Sequence, residues 1–192
     1  MNNLKELTHE QHKNAERSLF VKKLLKKEIT PYQYYIYLSN QFLMYTTLEG
    51  YATQAGVLKG IENIARGIAM SKDLQELEKE HGFKIPIHLK TTSDYMQYIF
   101  KISEDPEKLL AHVYVRHMGD LSGGQIIKRF VPGFGQHYQF DEDVIELKEK
   151  VRAKLHDGLA DEAKVCFNMI KTFMEELENS FADMGPPNNT AA

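Results

Sequence analysis

Between Tyr114 and Gln125 the chain reads Tyr-Val-Arg-His-Met-Gly-Asp-Leu-Ser-Gly-Gly-Gln, placing a guanidinium, a carboxylate and three glycines in a segment of helical spacing. A glycine costs roughly 1 kcal/mol against alanine in a helix interior. Something outside the helix must therefore favour Gly119, Gly123 and Gly124, and the usual reason is a body that comes very close to the backbone. With Leu109 at zero on a helical wheel, Val113, Arg116, Asp120, Gly123 and Gly124 fall within about 40° of it. One face thus joins a base, an acid and a bare backbone. In the competing reading Arg116 and Asp120 form an i,i+4 surface ion pair worth ~0.3–0.5 kcal/mol and the glycines mark a kink; two adjacent glycines on that face stay unexplained by it.

The second chemical candidate is His12. With Leu4 at zero it falls at about 80°, at the margin of an apolar face with Ala15 and Leu19. A neutral imidazole there suits iron or zinc, and it equally suits a hydrogen-bonded core histidine. Lys5 lies on the same flank roughly 10 Å away. That is a reach over which an ammonium meets a carboxylate of a ligand centred on His12, or simply meets solvent. His81, His88, His112, His117, His137 and His156 receive no role.

The elements that must position these groups are helices. Apolar spacing predicts an amphipathic helix over residues 3–19, with Leu4, Leu7, Ala15 and Leu19 on one side. Thr30 and Pro31 are an N-cap and first-turn pair for a long Tyr-rich helix reaching Gln54. A helix over Ile61 to His81 stops at Gly82, and a loop with a short extended piece covers Phe83 to Thr91. Thr92 and Ser93 cap a helix of about ten residues. Asp105 and Pro106 open the glycine-bearing helix, which ends at Val131-Pro132-Gly133. Helices over Asp141 to His156 and Ala160 to Phe181 meet at Asp157-Gly158. The result is an all-α, single-domain bundle over residues 1–184, with a disordered tail over 185–192.

Bulk properties narrow the function. A net charge of −3 gives no global reason to expect nucleic acid or an acidic membrane as partner. The lone cysteine, Cys166, excludes an internal disulfide and fits a reducing compartment. No apolar run approaches the ~20 residues of a membrane span, and Asn2 and Asn3 are unlike a signal-peptide core. The expected location is the cytoplasm. Leu121 to Gln125 also spells the nucleotide-contacting signature of ABC-type ATPases, but no GxxxxGK[ST] loop accompanies it.

Taken together, Thr8-His9-Glu10-Gln11-His12-Lys13-Asn14-Ala15-Glu16 resembles the proximal-histidine segment of the haem oxygenases, and Tyr114 to Gln125 is similar to their distal-helix signature. The resemblance implies an all-α bundle that sandwiches haem between the first helix and a kinked distal helix. It makes His12 the proximal iron ligand, with Glu16 beside its free nitrogen. Gly119, Gly123 and Gly124 would let the distal backbone lie against the porphyrin. Asp120, Arg116 and Tyr45 would order a distal water network and carry catalysis. Lys5, Tyr114, Lys148 and Arg152 would contact the propionates, and Phe167 would pack at the haem edge. The sequence departs from the family pattern at Val115, at His9, and in a short connection between Arg152 and Phe167.

The implied reaction is oxidative cleavage of haem b, cofactor and substrate at once, with O2 at a meso carbon, expected to be α. Its products are biliverdin, carbon monoxide and ferrous iron. A carboxylate working through water donates protons gently, which suits Asp120. Electrons must come from outside, because flavin and iron–sulfur motifs are absent. The cluster Lys22, Lys23, Lys26 and Lys27 could dock an acidic ferredoxin or flavodoxin, or be a solvated face; a downstream bilin reductase is a further expected partner. Two other classes compete: a haem carrier or sensor that does not degrade its ligand, and a ferritin-like di-iron protein suggested by Glu6 to His9 and Glu78 to His81.

Overall fold

The computed structural model describes residues 3–84 and 86–183, so the tail over 185–192 lies outside the described residues. Those residues are helical, without a strand: α1 (Leu4–Leu7), α2 (His9–Glu16), α3 (Leu19–Leu25), α4 (Pro31–Gln54), α5 (Gly67–His81), α6 (Lys90–Lys101), α7 (Pro106–Ser122), α8 (Gly124–Ile127), α9 (Val144–Arg152) and α10 (Ala160–Asp183), joined in places by 3₁₀ turns.

Helix α4 organises the bundle. Gln33 N–H donates to Thr30 Oγ1 at 3.2 Å and Thr30 N–H donates to Gln33 Oε1 at 3.0 Å, a reciprocal cap that starts the helix at Pro31. Buried side chains from Tyr34 to Ala52 lie on every side of it, as expected of a central helix. It packs on α5, α6 and α7, and α10 closes the other side against α2, α6 and α7.

Several boundaries differ from the sequence expectation, each for a tertiary reason. The first helix breaks at Thr8, which is fully buried with its hydroxyl donating to Leu4 O at 2.8 Å. Leu7 and Leu19, expected beside Leu4, come out 46 % and 48 % exposed, Leu19 in the separate helix α3 that starts after a second break at Arg17 and Ser18. The lysine cluster is only partly helical: Ser18 caps α3, which carries Lys22 and Lys23 and buries Phe20 and Leu24, while Lys26 and Lys27 follow its end at Leu25. Helix α6 begins at Lys90, ahead of the expected Thr92 cap, because the Thr92 hydroxyl donates to Asn40 Oδ1 at 2.8 Å. The same oxygen accepts Leu89 N–H, while the Asn40 amide donates to Ile36 O and Ile87 O. One buried side chain thus binds the 83–89 loop to α4. Asp143 caps α9, so that helix runs only from Val144 to Arg152.

Helix α5 starts at Gly67, six residues later than its apolar spacing suggests, because its first donors are satisfied from α4. Glu49 accepts Arg66 N–H at 2.6 Å and Gly67 N–H at 3.0 Å, and it also meets His117 Nε2 of α7 at 3.0 Å. Burial pushes the Glu49 carboxyl up, but His117 and the two backbone donors outweigh it and hold the group below its ordinary range. A carboxylate tying three elements together leaves uncompensated groups when removed. Glu49→Ala is expected to lose about 3–5 kcal/mol of unfolding free energy in urea titration; a loss under about 1 kcal/mol would show that the tie is replaceable.

Candidate active site

A cavity of about 830 Å³ separates α1 and α2 from α7 and α8, with α9 and α10 at its side. That size falls in the roughly 300–1,000 Å³ range of small-molecule sites. His12 and Lys5 line one wall, and Tyr114, Arg116, Gly119, Asp120, Gly123 and Gly124 line the other. Phe167 packs its ring against His12, 4.7 Å between centroids. The two motifs, a hundred residues apart in sequence, therefore share one cavity.

Helix α7 is held by both flanks. His112 Nε2 meets Glu162 Oε1 of α10 at 3.0 Å, and His117 Nε2 meets Glu49 Oε1 of α4 at the same distance. Both imidazoles are buried. Their Nδ1 atoms are also used, facing Tyr95 Oη at 3.0 Å in one case and Val113 O at 3.1 Å in the other. Such pairing fixes the rotation of the helix about its own axis. The side that remains free of packing is the one carrying Gly119 and Gly123.

The glycines do different work. A Cβ on Gly119 would meet nothing within 4 Å, and one on Gly123 would meet only Gly119 O at 3.7 Å. These two keep the cavity floor bare. A Cβ on Gly124 would stand 2.6 Å from Tyr138 Cδ1 and 2.9 Å from Cε1. Gly124, read from sequence as part of the bare floor, lines the cavity and also makes room for the Tyr138 ring.

Asp120 is buried and accepts the Tyr45 hydroxyl on Oδ2 at 2.8 Å. Burial raises its pKa, opposed by the charges of His117 and His137, by Tyr45 and by Arg66. Arg116 is buried too, which removes the reading of an exposed Arg116–Asp120 ion pair. Its Nη1 donates to Gln41 Oε1 at 3.0 Å, its Nη2 faces Met44 Sδ at 3.3 Å, and the guanidinium lies 4.1 Å above the Tyr95 ring. Burial alone would lower the Arg116 pKa, but Tyr95, Cys166 and Tyr45 outweigh it and keep the cation firmly charged.

At the cavity edge Arg152 lines the wall and pairs with Glu149, i,i+3 on its own helix. Lys148, expected beside Arg152, does not reach the wall. The short connection after Arg152 closes it with Ala153 and Leu155. Val115 lines the cavity as well, whereas the exposed His9 does not. The Tyr114 hydroxyl lies beside Thr8. The side chain of Glu16 lies outside the described residues. Glu6 and His9 are exposed, and Glu78 accepts the Tyr35 hydroxyl at 2.8 Å, so neither Glu-x-x-His pair converges in the core.

Sequence reasoning missed Tyr37 and Gln41, which share the wall with Tyr45. Their signal is the spacing 37, 41, 45, one turn apart along α4. It also missed Tyr138 and the two flanking histidines of α7, whose partners lie in distant elements.

Among protein families, the model described as heme oxygenase matches residues 1–176. A heme oxygenase of Guillardia theta is 31% identical over 203 residues, spanning 93% of this chain and 86% of that protein. Of solved structures, the heme oxygenase of Leptospira interrogans superposes with a TM-score of 0.79 at 32% identity, covering 90% of this chain and 97% of the other. Heme oxygenase-1 of the cyanobacterium Synechocystis, solved in complex with heme, gives a TM-score of 0.82 at 25% identity, covering 94% and 93%.

The two glycine roles separate experimentally. Gly124→Ala must displace the buried Tyr138 ring and is expected to cost about 1–3 kcal/mol in stability. Gly119→Ala is expected to leave stability unchanged or raise it by up to about 1 kcal/mol through helix propensity, while its methyl narrows the cavity. Thermal unfolding of the two variants checks the contrast, and equal destabilisation would overturn it.

Proposed function

The chain belongs to the haem oxygenase family, and we propose that it cleaves haem oxidatively at the α meso carbon, with electrons from an acidic ferredoxin or flavodoxin. The observation that carries this reading is the pairing of walls: an imidazole, His12, faces a floor kept bare at Gly119 and Gly123, with a buried carboxylate, Asp120, beside it. The cavity volume and this donor set fit a planar macrocycle held through its iron by His12. Haem supplies the redox-active metal and the carbon that is oxidised.

The protein groups supply the rest. His12 would bind the iron from one side, and the absence of side chains at Gly119 and Gly123 leaves the other side to O2 and water. Asp120, steadied by the Tyr45 hydroxyl, would hold a water as the proton source instead of donating directly. Arg116, fixed by Gln41, places a permanent positive charge at the same end. Lys5 and Arg152 would pair with the propionates and so set which meso carbon faces Asp120. Tyr114 and Phe167 shape the remaining edge.

Helix α3 supports the docking of a donor. Val21 lines the cavity, while Lys22, Lys26 and Lys27 of the same segment are exposed. A negatively charged carrier resting there would come close to the haem edge. No helix among the described residues is long and apolar enough to cross a membrane, and the lone, buried Cys166 agrees with a cytoplasmic setting.

Haem titration followed at the Soret band, then reductant under air with identification of the pigment, tests the reaction. Loss of the Soret band with appearance of biliverdin is expected, whereas intact haem persisting under those conditions would make the protein a carrier. Asp120→Ala should bind haem normally and lower the rate of pigment formation by roughly 10²-fold or more; biliverdin at the wild-type rate and yield would refute the assigned role. Changing Lys22, Lys23, Lys26 and Lys27 to Glu should slow ferredoxin-driven turnover and abolish its salt dependence, with turnover on a small chemical reductant unchanged. Equal ferredoxin rates in both proteins would exclude docking on α3.

A further inference from the structure

Behind Asp120 the cavity wall becomes polar in a way the reaction as described does not use. Tyr37 and Gln41 line it from α4, and Tyr138 comes from the turn over Gln136–Tyr138. Gln41 takes the Arg116 Nη1 hydrogen bond on its oxygen, which leaves its amide nitrogen to donate. The Tyr37 hydroxyl lies beside Tyr138 and Gln41. Burial and the nearby Asp120 push its pKa up to about 12, partly offset by Tyr138, Arg116 and Gln41. Tyr37 is therefore a neutral phenol at physiological pH, and its own proton remains to be donated.

Two further polar atoms frame this group. The Tyr34 hydroxyl, one turn before Tyr37 with ring centroids 5.9 Å apart, is completely buried and meets no protein partner. Arg116 Nε is buried and likewise unmatched. An unsatisfied buried polar group costs about 1–3 kcal/mol, and native proteins meet such groups with ordered water where the site is polar and roomy enough. Arg116 lines the cavity and meets both conditions directly, and Tyr34 stands behind Tyr37, which lines it. An apolar macrocycle edge gains little from a phenol and an amide, whereas water gains several hydrogen bonds.

We propose that Tyr37 is a positioning residue for haem cleavage: with Gln41, Tyr138 and Tyr34 it orders a second group of waters behind Asp120 and so orients the water through which Asp120 acts. The inference rests on the haem oxygenase reading. The charged and titratable groups facing Tyr37 are Tyr34 and Tyr45 from α4, Arg116 and Asp120 from α7, and Tyr138 from the turn after α8. Loss of the Tyr37 oxygen would free Gln41 from one partner and loosen Arg116, while the ring would still fill its place.

The test compares wild type, Tyr37→Phe and Tyr34→Phe as haem complexes in three measurements: haem affinity, the pH midpoint of the visible spectral transition of the ferric complex, and the fraction of reducing equivalents lost as hydrogen peroxide. Tyr37→Phe should keep haem affinity within about twofold, shift the midpoint by about half a pH unit or more and raise the peroxide fraction about threefold. Tyr34→Phe should move both in the same direction by less. If Tyr37→Phe does not fold, Gln41→Met must show the same midpoint and peroxide shifts. A wild-type midpoint and peroxide fraction in the folded variant overturns the proposal while leaving the haem oxygenase reading intact. Failure of the wild-type protein to bind haem overturns both.

Discussion

Two histidines five positions apart on one helix determine where everything else can be. His112 reaches α10 through Glu162 and His117 reaches α4 through Glu49, so α7 is clamped from two sides by buried imidazole–carboxylate contacts. Apolar packing is non-directional, whereas a buried hydrogen-bonded pair fixes one rotation of the helix, because breaking it strands a buried charge at about 3–5 kcal/mol. The clamp turns Gly119 and Gly123 toward the cavity. It also holds Asp120 within reach of Tyr45 and Arg116 within reach of Gln41.

The cost of keeping a large cavity open in a chain of 192 residues is met by the surrounding polar ties. Asp73 accepts the backbone N–H groups of Gln136 and His137 as well as His137 Nδ1, and so anchors the turn that carries Tyr138. Tyr138 in turn occupies the space that Gly124 leaves free. Each buried acid thus fastens a segment whose side chains line the wall, and stability and pocket shape depend on the same contacts.

The parts legible in sequence are those written in local chemistry. Thr30 with Pro31, Asp105 with Pro106, and Gly82 mark helix ends through neighbouring atoms, and all three hold in the structure. The glycine face and its acid were legible because helical geometry alone puts Asp120 and Gly123 together. The rest depended on distant partners. Nothing near Gly67 announces that its N–H will be capped from Glu49, and nothing near Gly124 announces the Tyr138 ring. The break at Thr8 arises from the burial of Leu4 and of a single hydroxyl, which the apolar pattern over residues 3–19 does not express. Lys148 shares a helix face with Arg152 by its i,i+4 spacing, yet only Arg152 lines the wall, because a shared face does not settle which side chain reaches it.

The break at Thr8 also makes the two walls mechanically unequal. The distal wall is a long helix clamped on both flanks. The opposite wall is a four-residue helix and an eight-residue helix in tandem, both shorter than the roughly 12–15 residues at which a helix begins to hold by itself in water. Their order comes almost entirely from the surfaces they lean on, α10 for α2 and the turn at Asp157–Leu159 for α1. The shape of the wall bearing His12 therefore depends on neighbouring elements, while the wall bearing Asp120 is fixed by buried pairs of its own.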